Sequence, residues 1–133
     1  RLMRYLLDTN VAGHVLRGDL PAIRARLFAT PLQSVAVSVV TEAELRYGVE
    51  KRGQPAALRR LVDEFLVRVT VRDWTSACAS SWSTLRVATE AAGTPLAPLD
   101  LMIAAQAMAE DLILVTRDRA FGRVPGLRLE DWS

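Results

Sequence analysis

Cysteine, histidine and lysine each occur once in these 133 residues, as Cys78, His14 and Lys51. Each scarcity removes a class of chemistry. A single cysteine excludes an internal disulfide and a zinc site built on several thiolates, and it fits a reducing, cytosolic setting. One histidine excludes a mechanism in which two imidazoles share the general acid and base work. No apolar run approaches the roughly 20 residues that span a bilayer. The start of the chain lacks the apolar core of a secretory signal. A cytoplasmic protein with no membrane contact is therefore expected. Charge of one sign is also missing: the formal net charge of +2 is too small for a basic coat on nucleic acid. Apart from Lys51, every basic residue is arginine. Its planar fork suits phosphate, although GC-rich codon usage yields the same bias. Repeats, linkers and low-complexity stretches are absent, and the length suits one core, so a single domain over residues 1–133 is expected.

What is present is an alternation of short apolar runs with helical patterns. Residues 4–7, 34–38, 69–71 and 112–115 read as strands, with a small fifth at 127–129. Between them, helices are expected over 11–16, from Pro21 to about residue 29, and over 41–51, 55–67, 75–92 and 99–110. Gly18, Gly53 and Gly93 mark three of the stops. Short, continuously apolar strands alternating with helices belong to a mainly parallel sheet covered on both faces. Ligands of such sheets bind beyond the carboxyl ends of the strands.

Four acidic residues stand out. Asp8 and Asp118 follow strand-type runs, in Leu6-Leu7-Asp8-Thr9-Asn10 and Val115-Thr116-Arg117-Asp118. Glu44 lies in Thr41-Glu42-Ala43-Glu44-Leu45-Arg46-Tyr47-Gly48, and Asp100 in Pro98-Leu99-Asp100-Leu101-Met102-Ile103-Ala104. Each has an ordinary alternative. Asp8 suits the cap of the first helix. Thr41 to Glu44 fits a capping box, in which hydroxyl and carboxylate satisfy each other's backbone donors. Asp100 suits a first helical turn and Asp118 a tight turn. Against the capping box stands Gly48, one turn after Glu44 on the same face. A mid-helix glycine costs about 1 kcal/mol against alanine and asks for a close neighbour. Glu42 faces elsewhere and is expected in solvent. Asp100 heads a face that continues through Ile103, Ala104 and Ala107, where an unpartnered charge is costly. Brought together, the four make a small, deep cluster. Clustered carboxylates repel, so a cation or a proton must relieve them, and all-oxygen ligands suit Mg2+ or Mn2+.

Taken in register, these words resemble the PIN-domain family, and within it the VapC ribonuclease toxins of bacterial toxin–antitoxin pairs. The segment Val115-Thr116-Arg117-Asp118-Arg119-Ala120-Phe121 adds to the likeness. The ending Gly126-Leu127-Arg128-Leu129-Glu130-Asp131-Trp132 is similar to the branch that cuts initiator tRNA. The resemblance implies a three-layer α/β/α sandwich, and a Mg2+ site, with Mn2+ as substitute, on Asp8, Glu44, Asp100 and Asp118. It also implies a catalytic hydroxyl at Thr116 and support from Thr9 and Asn10. The fourth acidic position is the loosest in the family. Arg86 resembles an RNA-contacting arginine, although a surface pair with Glu90 one turn on is the simpler role. Implied partners are an RNA substrate, a cognate VapB-like antitoxin that places an arginine in the acidic pocket, and a second copy in a homodimer. Apolar stripes in the helices at 21–29 and 55–67 would serve either protein contact, or only the core.

Two rivals are weaker. A haloacid-dehalogenase-type phosphatase needs an acid two residues after the first aspartate, where Asn10 stands, and a lysine late in the chain, where none exists. A non-catalytic binding module of the same fold has no need of four carboxylates, yet all four are present.

Overall fold

Each of the three central strands alternates its side chains between two apolar cores, and that alternation builds the layers. The computed structural model describes residues 3–133. Strand β1 is Tyr5–Leu7, β2 is Val35–Ser38, β3 is Thr70–Arg72, β4 is Ile113–Val115 and β5 is Leu129–Glu130. The sheet order is β3-β2-β1-β4-β5, and every neighbouring pair is parallel. Tyr5, Leu7, Val35, Val37, Ile113 and Val115 enter one core with Val11, Ile23, Val62 and Phe65. Leu6, Ala36 and Leu114 enter the other with Leu85, Leu101, Ile103 and Ala104. Two buried faces explain why these strands read as unbroken apolar runs.

Helices α1 (Thr9–Arg17), α2 (Pro21–Phe28) and α4 (Ala56–Arg68) supply the first core, while α5 (Ser76–Ala91) and α6 (Pro98–Ala109) cover the second. Helix α3 (Val39–Lys51) reaches both, through Val49 and Val40. The expected three-layer α/β/α sandwich is therefore present. Gly18 closes α1 in the left-handed region at φ 66°, and Pro21 opens α2.

One boundary departs from the sequence expectation in a way that matters. Helix α3 begins two residues earlier than position 41. Ser38 is its cap, accepting at 3.0 Å from the Val40 N–H. Thr41 and Glu44 therefore lie inside the helix, and no capping box forms around them. β-Branched Val39 and Val40 hid the start, because they also extend the strand pattern. Helix α6, which carries Asp100, is fixed from the side. Gln106 Nε2 donates to the Asp73 carbonyl at 3.0 Å, and Trp74 Nε1 donates to the Met102 carbonyl at 3.0 Å.

Candidate active site at the carboxyl edge of the sheet

Strands β1, β2 and β4 end side by side, and the residues that follow them meet above the sheet. Leu7 pairs in register with Val37 and with Val115. The next positions are Asp8, Ser38 and Thr116, all buried. Asp8 is 4 % exposed. Its Oδ1 accepts from the Val11 N–H at 2.8 Å, so it does cap α1. Its Oδ2 accepts from the Thr116 hydroxyl at 2.6 Å. Thr116 Oγ1 in turn accepts from the Asp118 N–H at 3.0 Å. One hydroxyl thus ties the first acidic position to the turn that bears the fourth. Capping and membership of the cluster are compatible for Asp8, because the two oxygens divide the work.

Glu44 is held by a second hydroxyl. Thr9 Oγ1 donates to Glu44 Oε1 at 2.6 Å, and Thr41 Oγ1 lies 3.0 Å from Thr9 Oγ1. Thr9, expected to support the first strand end, instead engages Glu44 with its hydroxyl. Asn10 is exposed, and among the described residues no hydrogen bond to its side chain is seen. Thr41 has no place among the sequence candidates. The signal for it was its spacing, three residues before Glu44 on one helix face.

Burial is the first cause that raises the Asp8 carboxyl above the usual aspartate range, and the nearby Asp118 adds to it, against the hydrogen bonds from Thr116 and Val11. Asp100 is raised as well, by burial first and then by the charges of Asp118, Asp8 and Glu44. All four acids thus share one field. His14 is the one basic group that offsets Asp8, and none offsets Asp100, whereas Arg17 and Arg52 line a groove beside Glu44.

The pocket is shallower and looser than a deep carboxylate cluster. Asp118 is exposed and caps the short helix Arg119–Arg123, accepting from the Ala120 N–H at 2.9 Å. Glu44 and Asp100 are half-buried. Among the described residues no three His, Cys, Asp or Glu side chains close around one point as a metal cage. Mutual repulsion and the competing hydroxyl and backbone donors account for that spread. Such an array suits a cation that keeps much of its own water, as Mg2+ does, rather than one fully wrapped by protein.

Other expectations resolve individually. Arg86 pairs with Glu90 at 3.1 Å and stacks 5.2 Å over the Trp82 ring. Glu42, half-buried, pairs with Arg46 at 3.1 Å. His14 is a half-buried helix residue with Nδ1 2.9 Å from Asp19. Gly48 has no close neighbour within the chain: an added Cβ would meet only the mobile end of Arg52, at 3.4 Å. The expected crowding there is absent. Gly48 instead lines a groove of about 280 Å³ with Gly13, Leu45, Leu58 and Glu44.

Residues 5–127 match the model of the PIN domain. Over 133 residues the chain is 35 % identical to the tRNA(fMet)-specific endonuclease VapC of Shigella flexneri, covering 99 % of this chain and 100 % of that one. Its fold superimposes on the crystal structure of DNA-bound VapBC from Salmonella typhimurium with a TM-score of 0.92, at 33 % identity and 98 % and 99 % coverage. The crystal structure of VapBC2 from Rickettsia felis, bound to a promoter DNA fragment, gives 0.90 at 31 % identity, with 98 % and 100 % coverage. The chain belongs to the PIN-domain family, in its VapC branch.

Proposed function

We propose that this protein is a metal-dependent endoribonuclease toxin that hydrolyses phosphodiester bonds of RNA, with initiator tRNA as the first candidate substrate, and that a cognate antitoxin silences it. The observation that carries this is the shared field of four carboxylates beyond the strand ends, in which Asp118, Asp8 and Glu44 all act on Asp100 and no basic group offsets it. The donor set is all oxygen, which fits Mg2+ and, as substitute, Mn2+. A divalent ion bound there supplies counter-charge to the phosphate and a water of lowered pKa. Asp8, Glu44, Asp100 and Asp118 would hold it. Thr116 keeps the Asp8 carboxylate aimed and links it to the Asp118 turn, and Thr9 does the same for Glu44. Asn10 stands beside Thr9 at the open edge, free to contact water or RNA. Attack by water in line with the leaving ribose oxygen yields a 5′-phosphate and a 3′-hydroxyl. The tRNA(fMet)-specific relative from Shigella flexneri supports the choice of substrate.

Arginines beside the pocket support an RNA path over its Asp118 side. Arg17, Arg26, Arg46, Arg72, Arg86 and Arg128 are each engaged by a carboxylate. Arg119 and Arg123, just after Asp118, have no such partner among the described residues and are exposed. Arg86 is the weaker contact, since a phosphate must displace Glu90. Replacing Arg119 and Arg123 by alanine should weaken tRNA binding and lower the slope of its salt dependence by about 1 per lost phosphate contact.

An antitoxin has a surface to hold. Phe28, Leu32 and Leu61 are exposed around a groove of about 240 Å³ between α2 and α4, next to Arg24, Glu64 and Arg68. The VapBC structures above support a partner of that kind. A homodimer within the complex remains part of the proposal. The test is incubation of initiator tRNA with the purified protein, with and without Mg2+, alongside Asp8→Asn, and sequencing of the ends. Cleavage that needs both metal and Asp8, leaving 5′-phosphates, is expected. Retardation of tRNA with no cleavage under any metal would instead identify a non-catalytic binding module.

A further inference from the structure

We infer that Thr41, a fully buried residue of α3 that touches no carboxylate itself, is a positioning residue of the pocket: it aims the Thr9 hydroxyl at Glu44. Proton accounting sets the direction. The Glu44 carboxylate can only accept, so the 2.6 Å contact takes the single hydroxyl proton of Thr9. Thr9 Oγ1 then has only lone pairs left to offer. The 3.0 Å contact with Thr41 must therefore be a donation from Thr41. The relay runs from Thr41 to Thr9 to Glu44. Thr41 is 0 % exposed, so its hydroxyl has no water to turn to, and Thr9 Oγ1 is the one partner found for it.

A helical threonine usually returns its proton to the carbonyl one turn back. Thr84 and Thr89 of α5 do so, bonding Ser80 and Leu85 respectively. Thr41 does not. Its proton crosses instead to the β1–α1 turn, 32 residues away in sequence. The consequence is a rigid bridge between two elements that each carry an acidic ligand, Asp8 beside Thr9 and Glu44 one turn after Thr41. Outer partners of this sort commonly change metal affinity or activity by about 10- to 100-fold when removed.

This rests on the proposed metal-dependent nuclease, and the experiment separates the two. Mn2+ binding to the whole protein is measured by calorimetry for wild type, Thr41→Val, Thr41→Ser, Glu44→Gln and the double variant Thr41→Val/Glu44→Gln. Metal-free melting temperatures are recorded in parallel. Thr41→Val should lose about 10-fold or more in Mn2+ affinity. Thr41→Ser, which keeps the proton, should stay within a few-fold of wild type. In the Glu44→Gln background, Thr41→Val should add no further loss, because its effect passes through Glu44. Should Thr41→Val fail to fold, Thr9→Val removes the middle of the same relay from a half-buried site and is expected to lose the same affinity. Wild-type affinity in Thr41→Val, or an equal loss in Thr41→Ser, overturns the inference and leaves the nuclease standing. A wild-type protein that binds no Mn2+ overturns both.

Discussion

Asp8 divides its two oxygens between structure and chemistry, one on the Val11 N–H and one on Thr116. That division sets what a substitution does. Asparagine keeps an acceptor for the cap but not the charge for a cation, so Asp8→Asn should abolish cleavage. It should also melt higher than wild type in the absence of metal, since one member of a repelling set is gone. The sign with pH follows from linkage. An unfolded aspartate ionises near 3.8, while folded Asp8 and Asp100 hold their protons to higher pH. Across the window above 3.8 the folded state binds more protons, so metal-free stability falls as pH rises through it. The advantage of Asp8→Asn should therefore be largest at neutral pH and vanish toward pH 4, read by calorimetric melts. Glu44 and Glu42 give a second comparison. Glu44 takes its hydrogen bond from Thr9 at the pocket, whereas Glu42 pairs with Arg46. Glu44→Gln should cost orders of magnitude in cleavage and Glu42→Gln little. If the two lose activity equally, Glu44 is no ligand.

Helix α3 shows how an element can hide its role. Its true start at Val39 looks like continuing strand, and this shift turns Thr41 from a cap into a bridge. Gly48 lies on the same helix. Within the chain a methyl group there meets only the flexible end of Arg52. Gly48→Ala should thus stabilise the isolated protein by up to about 1 kcal/mol, the usual helix gain over glycine. If the glycine serves a segment that lies in the groove beside Glu44, the same change should weaken binding of an antitoxin peptide. A rise in melting temperature with unchanged peptide affinity would leave the groove without a role for Gly48.

At the scale of the whole molecule, the pocket is a concentration of negative charge on a protein of formal charge +2. A cation is the natural occupant, whether metal or side chain. An antitoxin arginine or lysine placed there should compete with Mg2+, since a guanidinium pairs well with clustered carboxylates. Excess Mg2+ should raise the apparent inhibition constant of an antitoxin peptide, and alanine at its basic residues should relieve the inhibition. Equal inhibition at low and high Mg2+, by a peptide stripped of its basic residues, would mean that the partner acts by covering the site alone.

The strands, the helix count, the sheet class and the four acidic positions could all be read from the sequence, because periodicity and burial are local statistics of apolar residues. Leu6-Leu7 and Leu114-Val115 announced buried strands wherever they sat, and Asp8, Asp100 and Asp118 stood just past a strand or at a helix start, while Glu44 lies inside α3. What only the tertiary structure decided was who faces whom. The register that sets Leu7 between Val37 and Val115 is what brings Asp8 under Thr116. The crossing of α1 over α3 sets Thr9 against both Thr41 and Glu44, at separations of 32 and 35 residues. Such contacts leave no trace in local pattern, since a threonine looks the same whether its proton returns to its own helix or crosses to another element. The looseness of the pocket was equally out of reach. It follows from repulsion among four charges and from the donors that happen to lie beside each, and both depend on distances that the fold alone supplies.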